Sequence, residues 1–207
     1  MTRPTLYSFA EFDRSGRVRW LLHELGIAFD EKRLDYRAEE QRGAEYRKVQ
    51  PFGLVPALKW GDDVWTESGA ICMTLADKHP DRGLAPAIDS PRRPLYNQWA
   101  FFACSTLEEA VFPVFRAKRF GGNPPNQPEV SQRLHAVLEV LNGHLSRVSY
   151  LVGDTFSAAD ILVAHPLSLA ERIDEIKAYP AIGAYLQRLK DRPAARQSAL
   201  FTAPFPA

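Results

Sequence analysis

The residues able to do chemistry gather in a few short segments of this chain. Val55-Pro56 heads the apolar run Val55-Pro56-Ala57-Leu58-Lys59-Trp60. A proline at the start of a strand removes a ladder donor, and an X–Pro bond takes the cis form at small cost. A cis bond would turn the Val55 main chain outward, leaving its N–H and C=O to pair with an extended peptide. An ordinary trans proline at a strand edge is the equally weighted reading. Glu67-Ser68 stands where a strand gives way to a helix, so Ser68 can cap that helix and the unpaired N–H groups of its first turn can hold a carboxylate. Helix caps are commoner than ligand sites, and the pattern alone favours the cap. The segment Ala10-Glu11-Phe12-Asp13-Arg14-Ser15-Gly16-Arg17 joins the first strand to the first helix. Ser15 is its hydroxyl, at an expected N-cap, and Tyr7 lies just before it as either a donor or a core aromatic with a local partner. His135, His144 and His165 show no metal-ligand spacing, and no metal is expected.

The elements that must hold these segments change character along the chain. Thr5-Leu6-Tyr7-Ser8-Phe9 reads as a buried strand. Val18, Leu21, Leu22 and Leu25 stand at i, i+3, i+4 and i+7 with Gly26 as the stop, which predicts a helix. A second strand is expected over 28–34, and 38–49 is polar, with Tyr46 and Val49 as anchors of a weakly held helix or loop. Residues 55–60 and 64–66 read as a hairpin turned by Gly61-Asp62-Asp63, followed by a helix over 68–78. Prolines 80, 86, 91 and 94 mark a linker. Beyond it the strand signal vanishes. Helices are expected over 95–120 and 129–148, separated by Gly121-Gly122-Asn123-Pro124-Pro125, with two shorter ones after them. Ser157-Ala158-Ala159-Asp160 is a capping-box variant opening one of these, and Tyr179-Pro180 opens the last. The predicted division is 1–79, a linker over 80–94, and 95–207.

Composition limits what such a chain can do. Its 207 residues are 45% hydrophobic and 25% charged, enough to bury a core without staples. The 26 Lys and Arg against 25 Asp and Glu leave a formal charge of +1, no footprint for nucleic acid or an anionic membrane. Cys72 and Cys104 are too few for a disulfide framework or a zinc cluster and fit packing roles. No window approaches eighteen consecutive apolar residues, and no cleavable leader pattern opens the chain, so a cytoplasmic protein is expected.

The segments Arg17-Val18-Arg19-Trp20-Leu21-Leu22-His23-Glu24-Leu25-Gly26, Pro51-Phe52-Gly53-Leu54-Val55-Pro56-Ala57-Leu58, Thr66-Glu67-Ser68-Gly69-Ala70-Ile71 and Ser157-Ala158-Ala159-Asp160-Ile161 occur in an order and spacing that resembles the cytosolic glutathione S-transferases. The resemblance covers nearly the whole chain. It implies an α/β plus all-α fold, with a thioredoxin-like N-terminal domain and an all-helical C-terminal domain. It also implies a homodimer, a detoxification role, and glutathione as co-substrate, bound on the N-terminal domain facing the partner subunit. With it, the cis form of Val55-Pro56 is favoured, and Leu54, Val55 and Pro56 are expected to hold the cysteine of glutathione. Glu67 would meet the ammonium of the γ-glutamyl end, and Ser68 with the helix N-terminus its carboxylate. Gln41 and Arg42 match the region that reaches the glycine carboxylate, for which an arginine fork is suited.

Transferases of this kind hold the glutathione thiol as thiolate beside a hydroxyl donor. Counting back from the matching arginine lands near Asp13, whose carboxylate would work against a thiolate. Ser15 is therefore the first expectation for the catalytic donor and Tyr7 the second. The absence of cysteine from this loop argues against a glutaredoxin-like thiol chemistry. The electrophile, small and apolar or aromatic, is expected between this loop and the first helix of the C-terminal domain, beside Phe9, Phe12, Phe102, Phe115, Arg116 and Phe120. The alternatives are a non-catalytic binding or regulatory protein on the same scaffold, which the unusual Asp13-Arg14-Ser15 loop keeps open, and a glutathione-dependent isomerase, whose active-loop serine and cysteine cluster is missing here.

Overall fold

The computed structural model of the chain describes residues 2–122 and 127–204. Two compact units divide it: Met1–Arg82 together with Arg192–Ala207, and Gly83–Asp191. The C-terminal segment thus returns to the first unit, where the sequence had assigned everything beyond residue 94 to a helical domain.

In the first unit, β1 (Thr5–Ser8), β2 (Asp30–Arg33), β3 (Ala57–Trp60) and β4 (Asp63–Thr66) form one sheet in the order β2-β1-β3-β4. β1 runs parallel to β2 and antiparallel to β3, with Tyr7 opposite Lys32 on one side and Ala57 on the other. Alternation along β1 puts Leu6 and Ser8 on a buried face and Thr5 and Tyr7 on a half-buried one. β2 is shorter than expected, and all four of its residues are exposed and charged. That composition suits an edge strand, where charge blunts pairing with another chain. The helices of this unit are α1 (Ser15–Leu25), the short α2 (Ala44–Arg47), α3 (Ser68–Lys78) and α9 (Pro193–Ser198), with 3₁₀ turns at Glu40–Arg42 and Pro80–Arg82. Leu6, Leu21, Leu22, Leu58, Ile71 and Leu75 are each at most 1% exposed and make the core.

The expected helix caps resolve differently. Ser15 is the first residue of α1, after Arg14 at the N-cap, and Ser68 the first of α3, after Glu67. Neither serine side chain caps its helix. The Ser15 N–H is taken by the Asp13 carboxylate at 2.6 Å, and the Ser68 hydroxyl is engaged by a side chain from α1.

The second unit is helical. The predicted helix over 95–120 is α4 (Arg93–Phe102), a π-helical stretch at Ala103–Leu107, and α5 (Glu108–Phe120). Arg93 and Pro94, expected in the linker, form the first turn of α4, where proline is tolerated because its missing N–H would be unpaired anyway. α6 (Gln127–Leu145), α7 (Ala158–Arg172) and α8 (Pro180–Lys190) follow. Residues 123–125 of the expected break before α6 lie outside the described residues. α7 is buried from Ala158 to Ala170, its alanine, leucine, isoleucine and valine side chains interrupted by the buried polar residues Asp160, His165 and Ser168. Its capping box forms: Asp160 accepts from the Ser157 N–H at 2.8 Å, and also from the Leu151 N–H at 2.9 Å and the Tyr185 hydroxyl at 2.9 Å. No helix among the described residues is long and apolar enough to cross a membrane.

Candidate functional site

The proposed glutathione-binding residues all fall in the first unit, around the N-terminal ends of β3 and α3. The Val55–Pro56 peptide bond is cis. Among the described residues, the Val55 main chain makes no hydrogen bond, so its N–H and C=O remain open to a ligand. Its neighbour is fully used. The Leu54 N–H donates to Gln50 Oε1 at 3.1 Å, and the Leu54 carbonyl accepts from the Tyr46 hydroxyl at 2.6 Å. Gln50 and Tyr46, both buried, thus hold the main chain beside Val55 from below. Burial, with the Tyr7 and Asp13 charges adding, raises the Tyr46 hydroxyl well above the usual phenol range, which keeps it a donor. Gly53 has φ of 67°, and a Cβ on it would stand 2.7 Å from the Gln41 carbonyl oxygen. Only glycine fits a left-handed turn pressed so closely on another backbone. The Leu54 side chain is 55% exposed.

Gln41 itself is buried, and its Oε1 has no hydrogen-bond partner among the described residues. Arg42 projects into solvent and pairs with Glu39 at 2.6 Å. A ligand carboxylate would have to draw it away from that partner, a small cost for an exposed pair.

Glu67 is exposed and holds φ of 64° and ψ of 108°, a left-handed conformation that costs a non-glycine residue about 1–3 kcal/mol. Strain of this kind persists where the fold imposes it, here at the junction of β4 and α3. Ser68 is 5% exposed, and its Oγ accepts from Arg17 Nη1 at 3.0 Å. Because the buried Arg17 can only donate, the Ser68 hydroxyl proton is left to point elsewhere, beside the unpaired N–H groups of the first turn of α3. The arrangement offers an anion a hydroxyl, main-chain donors and a cation one bond behind them. Arg17, Tyr46 and Gln50 hold the candidate residues in place and were missed by sequence reasoning; a polar residue in the register of a core-facing helix was the available signal for Arg17.

The two catalytic candidates part company. Ser15 is fully buried, and its Oγ donates to the Tyr7 carbonyl at 3.3 Å. Tyr7 is half-buried, with its ring 5.4 Å from that of Tyr46. Its hydroxyl makes no hydrogen bond among the described residues and is not sealed from solvent. Asp13 faces the main chain: its carboxylate accepts from the N–H groups of Phe9 and Ala10, each at 2.8 Å, as well as from Ser15. Burial raises its carboxyl above the ordinary range against the pull of these donors.

The residues named for an electrophile divide between the units. Phe9 meets Tyr36 edge-on at 5.2 Å, and Phe12 is half-buried in the same unit. In the helical unit Phe102 packs edge-on against Trp99 at 5.1 Å, Phe115 is 3% exposed between Phe112 and Phe120, and Arg116 is exposed. Phe115 is therefore a core residue of its unit, while Phe120, 65% exposed, has surface to offer.

A β2-β1-β3-β4 sheet carrying helices, followed by an all-helical unit, defines a thioredoxin-like domain joined to a helical one. The family description "Glutathione S-transferase, N-terminal domain" matches residues 14–78, and "Glutathione S-transferase, C-terminal domain" matches residues 103–193. Glutathione S-transferase 1 of Dianthus caryophyllus is 32% identical over 165 residues, spanning 77% of this chain and 73% of that protein. Glutathione S-transferase 3 of Zea mays is 30% identical over 190 residues, spanning 86% and 85%. Among solved structures, the glutathione transferase URE2P6 of Phanerochaete chrysosporium, in complex with oxidized glutathione, matches with a TM-score of 0.86 at 26% identity over 95% of this chain and 94% of that one. The chain belongs to the glutathione S-transferase family.

Proposed function

We propose that the protein is a glutathione transferase in which Tyr7, rather than Ser15, holds the thiol of bound glutathione as thiolate for addition to a small hydrophobic electrophile. The observation that carries this choice is the state of the two hydroxyls. The Ser15 hydroxyl is engaged inside the fold, by the Tyr7 carbonyl and the Asp13 carboxylate, whereas the Tyr7 hydroxyl has no partner among the described residues. Tyr7 also lies on β1 opposite Ala57, the first residue of β3 and two residues after Val55, whose open main chain is where the cysteine of glutathione would pair. Its γ-glutamyl end goes to Glu67, Ser68 and the start of α3, and its glycine end to Gln41 and Arg42. A hydrogen bond to a charged acceptor contributes about 1.5–3 kcal/mol. At ~1.4 kcal/mol per unit, that lowers a thiol pKa by roughly one to two units.

The exposed Phe52 and Leu54, 77% and 55% accessible, support a homodimer that covers this edge of the first unit. A detoxification role in the cytoplasm accords with a chain of this family. The test of the catalytic assignment is the titration of bound glutathione, followed by thiolate absorbance. Tyr7→Phe is expected to raise the midpoint by about one to two units and to slow conjugation of an activated aryl halide. Ser15→Ala is expected to leave the midpoint in place. The reverse pattern returns the role to Ser15.

A further inference from the structure

The loop from Phe9 to Arg14 carries no regular structure, so its main-chain groups must be satisfied otherwise. Asp13 takes N–H groups at both ends of the loop, from Phe9, Ala10 and Ser15. The carbonyls are met from α1. Arg19, 4% exposed, donates from Nη1 to the Glu11 carbonyl at 3.2 Å, with longer contacts to the carbonyls of Ala10 at 3.5 Å and Ser198 at 3.4 Å. Its guanidinium is held from the other side by a two-point pair with Glu31 on β2, Nε to Oε2 at 3.1 Å and Nη2 to Oε1. Glu31 is fixed in turn by the Ser8 hydroxyl at 2.5 Å, on the buried face of β1. Arg19 therefore joins, through one rigid fork, the strand that carries Tyr7, the loop that follows it, the edge strand and the C-terminal segment.

We propose that Arg19 is a positioning residue for the thiolate site, setting the place of the Ala10–Glu11 backbone beside Tyr7 without itself touching glutathione. The inference rests on the reading of Tyr7 as the thiolate's partner. The groups proposed to hold the ends of glutathione sit on other segments, at Gln41, Arg42, Val55, Glu67 and Ser68, so the loop governs the reacting sulfur more than overall affinity. Loss of the fork then separates turnover from binding.

Lysine at this position keeps the charge opposite Glu31, but a single ammonium cannot span Glu31 and the loop carbonyls as the guanidinium does. Arg19→Lys is expected to keep glutathione affinity by calorimetry within about threefold. It should lower kcat with an activated aryl halide on the order of ten- to a hundredfold, and raise the midpoint of the bound-thiol titration. A purely structural role predicts otherwise: lysine, having restored the ion pair, would restore kcat and the titration with it, and that result overturns the proposal. Should Arg19→Lys not fold, Glu31→Gln reads the same quantities, since it retains shape while removing the charge that anchors the fork. A folded Glu31→Gln protein with wild-type kcat and midpoint is equally fatal. If Tyr7→Phe leaves the thiol titration unmoved, the reading of Tyr7 fails. If Tyr7→Phe moves it and the Arg19 and Glu31 variants do not, only the positioning role fails.

Discussion

Gly16→Ala should destabilise the protein although it places alanine for glycine inside a helix. In an open helical position that change is worth about 0.5–1 kcal/mol in favour of alanine, through the conformational freedom glycine loses on folding. At position 16 the new Cβ would stand 2.6 Å from the Glu11 carbonyl oxygen and 2.7 Å from Leu200 Cδ1. Leu200 can give by rotating, although it is fully buried. The Glu11 oxygen is backbone, and it already accepts from Arg19. Overpacking of this kind costs about 1–3 kcal/mol, so the clash outweighs the propensity gain and the net loss is about 1–2 kcal/mol.

Gly143 on α6 and Gly183 on α8 provide the control, because a Cβ at either meets nothing within 4 Å. Alanine there should stabilise by about 0.5–1 kcal/mol each. Urea denaturation and thermal melting of the three variants give the comparison, with the Gly16→Ala midpoint falling by about 3–6 °C. Because the displaced carbonyl belongs to the loop beside Tyr7, kcat should fall as well. A Gly16→Ala protein at least as stable as wild type, matching Gly143→Ala, would refute the argument that α1 is pressed this closely against the loop.

The Arg19–Glu31 pair makes the first unit sensitive to acid. Burial alone would raise the Glu31 carboxyl, but the hydrogen bonds from Arg19 and Ser8 and the nearby positive charges outweigh it, and the net direction is downward. A carboxylate depressed in the folded state contributes stability that is whole above its unfolded pKa, about 4.3, and is lost as the pH falls through the lower folded value. The stability difference between wild type and Glu31→Gln, measured by urea denaturation, should therefore be constant from neutrality to about pH 5 and shrink below about pH 4; a constant difference to pH 3 would show that the carboxylate's charge contributes nothing. In the helical unit, Asp160→Ala strips the acceptor from the Leu151 and Ser157 N–H groups and the Tyr185 hydroxyl at once. A loss of about 3–5 kcal/mol is expected, and one below about 1 kcal/mol would mean that water replaces the carboxylate.

What was legible in the sequence follows from the range of the forces involved. The hairpin, the helix over 68–78 and the capping box at Ser157 are written in local chemistry, and each forms where it was expected. The segments around Val55-Pro56 and Glu67-Ser68 stood out as site candidates through the resemblance to the glutathione S-transferases, because the local chemistry alone allowed a trans proline and an ordinary helix cap equally or better. The direction in which Ser15 points was not legible. Its spacing suited a cap and a catalytic donor alike, and only the placement of Asp13 on the Ser15 N–H and of the Tyr7 carbonyl near Oγ turns the hydroxyl inward. Arg17 and Arg19 were hidden for a similar reason. The stripe of Val18, Leu21, Leu22 and Leu25 predicted one buried face, yet nine of the eleven residues of α1 are buried.

That burial has a definite source, and it explains why the return of the C-terminal segment to the first unit did not show in the sequence. α1 packs against α3 and β1, and it is also covered by α9 and the residues after it. Arg192 grips Glu24 through two bonds of 2.7 and 2.8 Å, Phe201 meets Trp20 edge-on at 5.7 Å, and the Ser198 carbonyl shares the Arg19 guanidinium. These partners are 168 residues apart for Arg192 and Glu24 and 179 apart for Ser198 and Arg19, a separation that no local periodicity records. α9 is six residues long, too short for a hydrophobic stripe to declare itself, and it opens on a proline like α8 before it. The sign left in the sequence was negative: arginines at 17 and 19 bracket Val18, and a second layer of structure is what allows a helix to bury charge on more than one side, provided each cation finds its acceptors. The C-terminal segment is accordingly part of the first unit, and the loop after β1 is fastened to it where the Arg19 guanidinium reaches both the Glu11 and the Ser198 carbonyls.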